Sequence, residues 1–308
     1  MKPFITYLAA FVLAVCCSSA IYAKPMFDFD GDRKTDLSVY RPSNGTWYLL
    51  QSEHGYHARR FIQFTPAQKI VLADYDSDGK TDIAWIKDNV WYVYQSSSST
   101  LGAHSTFGIE GDIPIPGDWD IDGKADVAVY REGKNPGEQS YFYYRGTLNN
   151  PNGNITFIPF GQYGDLPVIG DYDGDGRIDP TIFRPSVGEW WYLRSSDGAN
   201  RAFQFGQNGD KPLSGDFTGD GKTDIAIFRP STGEWFILRS EDYSYYAAPF
   251  GTAGDVPVVG DYDGDGKDDI AVWRPSDGNW YVVKSSGGFF INHFGMDGDK
   301  PIPAVYVP

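Results

Sequence analysis

Short apolar runs broken by clusters of Gly, Pro, Asp and Ser follow one another from about residue 24 to the C-terminus. The clearest stretch begins Pro257-Val-Val-Gly-Asp-Tyr262, passes through the polar Asp263-Gly-Asp-Gly-Lys-Asp268, and continues as Asp269-Ile-Ala-Val-Trp-Arg274. The turn residues Pro275-Ser-Asp-Gly278 lead to Asn279-Trp-Tyr-Val-Val-Lys284, and Ser285-Ser-Gly-Gly288 leads to Phe289-Phe-Ile-Asn-His-Phe294. β-Branched and aromatic runs of this length, bounded by turn formers, predict four short strands. No window has the 3.6-residue apolar period of an amphipathic helix. Ile225-Ala-Ile-Phe228 and Ile270-Ala-Val-Trp273 are apolar at consecutive positions, so both faces of those strands are expected to be covered. A blade packed between two other blades meets that demand, and a sheet with one wet face does not.

The four-strand unit recurs. Copies start at Asp28, Asp74, Asp118, Asp171, Asp216 and Asp261, at spacings of 46, 44, 53, 45 and 45 residues. The long interval holds extra Gly, Pro and Asn at 133–137 and 149–153. This period matches one propeller blade. The predicted fold is all-β: a single β-propeller over residues 24–308, with six four-stranded blades. After Phe294-Gly295 the repeat restarts as Asp299-Lys-Pro-Ile-Pro-Ala-Val-Tyr306 and stops, while the opening strand at 24–27 is stunted. The tail, 299–308, is therefore expected to complete the first blade and close the ring; seven blades, one fragmentary, is the alternative.

Each copy carries carboxylates at positions one, three, five and nine of a loop between its first and second strands. Alternate side chains of a tight loop converge, and a hard cation such as calcium takes six to eight oxygens. The carbonyl of position seven is expected to add another, and a glycine at position six permits the sharp turn. The last copy reads Asp261, Asp263, Asp265, Lys267 and Asp269, with Gly266 at position six. The second reads Asp74, Asp76, Asp78, Lys80 and Asp82; the third, Asp118, Asp120, Asp122, Lys124 and Asp126; the fourth, Asp171, Asp173, Asp175, Arg177 and Asp179. Two copies depart. The first has Arg33 at position six beside Asp28, Asp30, Asp32, Lys34 and Asp36, and the fifth has Thr218 at position three beside Asp216, Asp220, Lys222 and Asp224. These two are expected to be the weakest of up to six structural calcium sites. An EF-hand is excluded because its position twelve needs a glutamate flanked by helices, and Val272 stands there inside a β-run.

With its Phe-Gly pairs at Phe107, Phe160, Phe205, Phe250 and Phe294, its Gly-Asp-x-Pro segments such as Gly254-Asp-Val-Pro257, and its Asp-x-Asp-x-Asp-Gly loops, the chain resembles the FG-GAP or VCBS-type repeat family. The first junction departs, reading Phe64-Thr-Pro-Ala-Gln-Lys69. The resemblance implies a calcium-loop propeller related to the integrin α-subunit head. It leaves the partner open, because the family includes adhesion proteins, lectins and domains appended to enzymes.

A second repeated element, Arg-Pro-Ser-x-Gly-x-Trp, spans Arg41–Trp47, Arg184–Trp190, Arg229–Trp235 and Arg274–Trp280. Two readings follow. Trp47, Trp190, Trp235 and Trp280, with Arg184, Arg229 and Arg274, could stack on and hydrogen-bond sugar rings. Alternatively Pro-Ser-x-Gly makes a hairpin turn while Trp and Arg pack between blades, and a ring fold favours this second reading because it needs such packing at every blade.

Charge and the N-terminus narrow the setting. Lys2, the apolar run from Phe4 to Val15 and the small residues Ser18 to Ala20 predict a secretory signal peptide over residues 1–23. Lipid anchoring at Cys16 and a periplasmic destination are the alternatives. Both cysteines, Cys16 and Cys17, fall in that segment, so disulfides are not expected to brace the exported protein. Loss of Lys2 takes the formal charge from −15 to −16, and 23 of the 41 acidic residues stand at positions one, three, five and nine of the six loops, so six divalent cations would bring it to −4. Such acidity argues against nucleic-acid partners and anionic membranes. His54, His57, His104 and His293 occupy unrelated repeat positions, and no nucleophile sits in a recognisable setting, so no catalytic residues are expected. The sequence thus predicts a secreted, non-catalytic recognition or adhesion module with an extracellular protein or glycan partner; a lectin ranks second and a polysaccharide-acting enzyme third. The insertion at 133–144 is the first place to look for a non-repeated site, and Asn44-Gly-Thr46 and Asn154-Ile-Thr156 are sequons for a eukaryotic secretory route.

Overall fold

The computed structural model describes residues 27–304 apart from 54, 65, 103, 104 and 149, so the predicted signal peptide lies outside the described residues. Six antiparallel sheets form a six-bladed β-propeller. Blade 1 is built from β1 (Leu37–Arg41), β2 (Thr46–Gln51) and β3 (Ala58–Gln63), and blade 2 from β4 (Lys69–Ile70), β5 (Ile83–Lys87), β6 (Val90–Gln95) and an outer strand split into β7 (Thr100–Leu101) and β8 (Ser105–Thr106). Blade 3 holds β9 (Ile113–Pro114), β10 (Val127–Arg131), β11 (Gln139–Arg145) and β12 (Thr156–Gln162), and blade 4 holds β13 (Leu166–Val168), β14 (Thr181–Arg184), β15 (Glu189–Leu193) and β16 (Asn200–Gln204). Blade 5 comprises β17 (Lys211–Gly215), β18 (Asp224–Arg229), β19 (Glu234–Leu238) and β20 (Tyr245–Pro249); blade 6 comprises β21 (Val256–Pro257), β22 (Ile270–Arg274), β23 (Asn279–Val283) and β24 (Phe289–His293).

The ring closes as the repeat phasing predicts. The C-terminal β25 (Lys300–Pro301) pairs antiparallel with β1, Val39 opposite Pro301 and Tyr40 opposite Lys300, and so supplies the first strand of blade 1. A single turn of 3-10 helix, Ile302–Ala304, follows, and the rest of the predicted closing segment, 305–308, lies outside the described residues. Among the described residues no helix is long and apolar enough to cross a membrane.

The buried apolar residues form six clusters, each between two adjacent blades. One joins Leu213, Phe228 and Trp235 of blade 5 to Val272 of blade 6, and another joins Trp273 and Trp280 of blade 6 to Leu37 and Val39 of blade 1. This explains the consecutive apolar runs: Ile225, Ala226, Ile227 and Phe228 are all buried because one face of the strand meets the preceding blade and the other the following one. The acidic loops gather at one end of the strands, each leading into the second strand of its blade, and the Pro-Ser-x-Gly turns sit at the other end.

Candidate metal centres

The backbone bends each loop around its first carboxylate. Asp261 Oδ1 accepts the N–H of Gly264 at 2.6 Å and its Oδ2 accepts that of Gly266 at 2.9 Å. Asp171 and Asp216 repeat this pattern with the N–H groups of their own positions four and six. In all six loops the N–H of position seven then donates to the carboxylate of position five at 2.9 Å. The outcome is convergence. Carboxylate oxygens of Asp28, Asp30 and Asp32 lie within 4.8 Å of one another, as do those of Asp74, Asp76 and Asp78; of Asp118, Asp120 and Asp122; of Asp171, Asp173 and Asp179; and of Asp261, Asp263 and Asp265.

These sets fit a hard divalent cation. The donors are oxygens, with neither the imidazole nor the thiolate that softer metals prefer. Asp120 Oδ1 is buried and accepts no hydrogen bond, a position that a cation bound between Asp118 and Asp122 would satisfy. The fifth loop, with Thr218 at position three, does not bring three carboxylates together, in keeping with its expected weakness. The first loop does, despite Arg33.

Position nine has a second task that the spacing alone does not reveal. In every loop its carboxylate accepts the N–H of position two and an N–H from the hairpin between the third and fourth strands: Phe29 and Ser52 for Asp36, Tyr262 and Ser285 for Asp269. The same hairpins reach the other loop carboxylates. Ser52, Ser96, Ser240 and Ser285 donate hydroxyls to position five at Asp32, Asp78, Asp220 and Asp265, and Ser97, Ser196 and Ser286 donate to position three at Asp76, Asp173 and Asp263. The signal for these residues was the Ser-Ser pair that closes the third strand in three of the six copies, Ser96-Ser97, Ser195-Ser196 and Ser285-Ser286. Burial is the main cause that pushes the position-nine carboxyls up in the cation-free protein, Asp36 to about 8, Asp126 and Asp269 to about 7, and Asp82 and Asp179 to about 6.

Neighbouring loops are tied to one another. The N–H of position eight donates to the carbonyl of position one in the preceding loop, from Thr81 to Asp28 (2.6 Å), Ala125 to Asp74 (2.8 Å), Ile178 to Asp118 (3.1 Å), Thr223 to Asp171 (2.7 Å), Asp268 to Asp216 (2.8 Å) and Thr35 to Asp261 (2.6 Å). The last of these joins blade 1 to blade 6, so the series is a closed ring. Position seven also reaches across: Lys80 Nζ donates to the Asp30 carbonyl at 2.8 Å, and the stems of Lys34, Lys222 and Lys267 lie over position four of the loop before.

Position four, like position six, takes a left-handed backbone. Gly31, Gly174, Gly219 and Gly264 fill it easily, whereas Ser77 (φ 65°) and Ile121 (φ 63°) do so with a side chain, as does Arg33 at position six of the first loop (φ 70°). For a β-branched residue this conformation costs about 1–2 kcal/mol. Ile121→Gly is therefore expected to raise stability by about 1 kcal/mol in a denaturant titration, after the extra chain entropy of glycine is subtracted; unchanged or lower stability would contradict the strain.

The second repeated element is a packing device. Trp47, Trp190, Trp235 and Trp280 are at most 1 % exposed, and the indole N–H groups of Trp190, Trp235 and Trp280 donate to the carbonyls of Phe205, Phe250 and Phe294 at 2.8–2.9 Å. The sugar-stacking role considered for these tryptophans is thereby corrected, since no indole face is open to a ligand. Arg184, Arg229 and Arg274 are likewise engaged, each forming a two-pronged pair with the aspartate of Gly-Asp-x-Pro: Asp165, Asp210 and Asp255 at 2.7–2.9 Å. Arg41–Asp299 and Arg131–Asp112 complete the set. The guanidinium of Arg229 lies 4.4 Å from the centre of the Phe236 ring, and that of Arg274 lies 4.4 Å from that of Tyr281. The insertion at 133–144 also serves structure: Glu138 Oε2 accepts the N–H groups of Lys134 and Asn135 to close a turn, and residues from 139 onward are strand β11.

Comparisons with known proteins agree with this anatomy. Similar folds occur in a streptogramin B lyase (8 % identity, TM-score 0.52, covering 85 % of this chain and 84 % of that one) and in a protein of unknown function from Bacteroides caccae (13 %, 0.51, 87 % and 98 %). BBS1N, solved in complex with ARL6DN, is similar at 10 % identity, TM-score 0.50, and 91 % and 82 % coverage. At these identities the likeness is one of fold alone. No curated protein matches the chain. The FG-GAP-like repeat family matches residues 28–85 and 216–272, each stretch running from an acidic loop into the second strand of the next blade. The protein is thus a six-bladed β-propeller in which two stretches match the FG-GAP-like repeat.

Proposed function

We propose that the protein is an exported recognition or adhesion module whose acidic loops bind calcium structurally. The observation that carries this reading is the convergence of five all-oxygen carboxylate sets on one end of the ring, one of them with a buried oxygen that accepts no hydrogen bond. Loops of this kind in extracellular proteins bind calcium with dissociation constants of about 0.1–1 mM, a concentration met outside the cell. The apolar segment after Lys2, and the absence of cysteine beyond Cys17, are consistent with export and with metal in place of disulfides as the brace. Catalysis is no part of the proposal: the acidic residues that repeat have a complete use as cation ligands and latches, and the repeated arginines as structural ion pairs.

A panel of immobilised extracellular proteins and glycans, probed with the full chain in 1 mM calcium and again with excess chelator, tests the reading. Saturable binding that requires calcium, without turnover of polysaccharide, is the expected outcome. Turnover would overturn the non-catalytic reading, and an absence of calcium-dependent binding would overturn the recognition role.

A further inference from the structure

Blade 2 breaks the repeat at the end opposite the acidic loops. In blades 1, 4, 5 and 6 the hairpin between the second and third strands ends on a glycine that closes onto the loop leaving the outer strand. A Cβ added at Gly45, Gly188, Gly233 or Gly278 would lie 2.2–2.7 Å from a carbonyl oxygen of that loop. In blade 2 this hairpin is only Asp88-Asn89, two residues shorter than Pro42–Gly45. The arginine and aspartate of the usual ion pair are replaced by Lys87 and Gln68, and the Gln68 amide turns instead to Asp88, with hydrogen bonds of 2.8 and 3.2 Å. A cavity of about 410 Å³ results between the shortened hairpin and the segment from Phe107 to Asp112.

We propose that this cavity binds a neutral mono- or disaccharide. Asp88 and Glu110 offer acceptors for sugar hydroxyls, while Gln68, Asn89 and Lys69 offer donors. Lys69 Nζ is held in place by donating to the carbonyl of Asp112, which also lines the cavity. Ile86 and Val129 provide an aliphatic wall for the apolar face of a pyranose ring. One ammonium, Lys69, beside the carboxylates of Asp88, Glu110 and Asp112 makes the cavity unsuited to phosphates, and the ring of polar groups makes it unsuited to lipid tails. Its volume falls within the range of about 300–1,000 Å³ usual for small-molecule sites. The proposal rests on the recognition reading above and gives it one ligand class.

The test is calorimetric titration of the full chain, in calcium, with glucose, galactose, mannose, N-acetylglucosamine, cellobiose and lactose. At least one should bind with one site per chain and a dissociation constant of about 1 mM or tighter, and Asp88→Ala should weaken it about tenfold or more. A second variant replaces Asp88-Asn89 with the Pro-Ser-Thr-Gly turn of blade 5; it should lose binding while keeping the calcium-dependent melting shift. Binding by none of the six sugars, or undiminished binding in the turn graft, would overturn the proposal. A calcium shift that survives either result leaves the metal reading standing, so the two failures are distinguishable.

Discussion

Withdrawal of calcium is expected to lower the melting temperature of this protein by on the order of 10 °C. With dissociation constants of about 0.1–1 mM, 1 mM calcium contributes roughly 0.4–1.4 kcal/mol for each loop by mass action. Five convergent loops therefore sum to several kcal/mol, and in a domain of this size each kcal/mol moves the transition by about 2–4 °C. The effect should depend on pH in a defined direction. In the cation-free protein, burial raises the position-nine carboxyls above their unfolded values, to about 8 for Asp36 and about 7 for Asp126 and Asp269. A folded state that holds protons more tightly is favoured at low pH, so this contribution is fully present below about pH 4 and is lost as the pH rises through about 6–8. The cation-free protein should thus become less stable from pH 5 to pH 8, and the stabilisation by calcium should grow over the same interval. Scanning calorimetry at both pH values, with calcium and with chelator, reads both effects; a shift that is equal or larger at pH 5 would contradict the assignment.

The second large effect is expected at the blade interfaces. Trp235 is fully buried among Leu213, Phe228 and Val272, residues of both blades 5 and 6, and its indole N–H satisfies the Phe250 carbonyl. Trp235→Ala removes the ring, leaves a cavity that the surrounding strands can only partly fill, and orphans that carbonyl. The cost is about 3–5 kcal/mol, on the order of 10 °C in melting temperature. Thr232→Ala, on the exposed turn of the same hairpin, is the control and should shift the melt by no more than about 2 °C. A loss below about 1 kcal/mol at Trp235 would mean that the repeated tryptophan is not an interface anchor.

These expectations divide along what a chain can encode locally. Strand positions and the six-fold phasing were legible because a strand covered on both faces must be apolar at consecutive positions, as in Ile225–Phe228, and because turn formers punctuate every run. Ring closure was legible from the stunted start and the restarted repeat at Asp299. The convergence of the loop carboxylates was legible from spacing alone. The arginine pairs were not, because Arg184, at the end of β14, and Asp165, just before β13, stand 19 residues apart with a complete acidic loop between them. Only the register of β13 against β14 brings them together. The left-handed backbone at position four was hidden for a different reason: glycine marks it in four copies, but Ser77 and Ile121 adopt it without announcing it. The cavity in blade 2 arises from missing residues, visible in the irregular Phe64-Thr-Pro-Ala-Gln68 junction and the two-residue turn, but its size depends on how the flanking loops settle.

Counting the ions bound per chain tests the central claim most directly. Equilibrium dialysis of the full chain against 1 mM calcium, followed by elemental analysis of protein and dialysate, should find about five strong or partial sites, one for each convergent carboxylate set, with the fifth loop contributing least. Removing position one by Asp261→Ala should lower the count by one. A protein that retains no calcium above the dialysate level, and melts at the same temperature with and without it, would contradict the account.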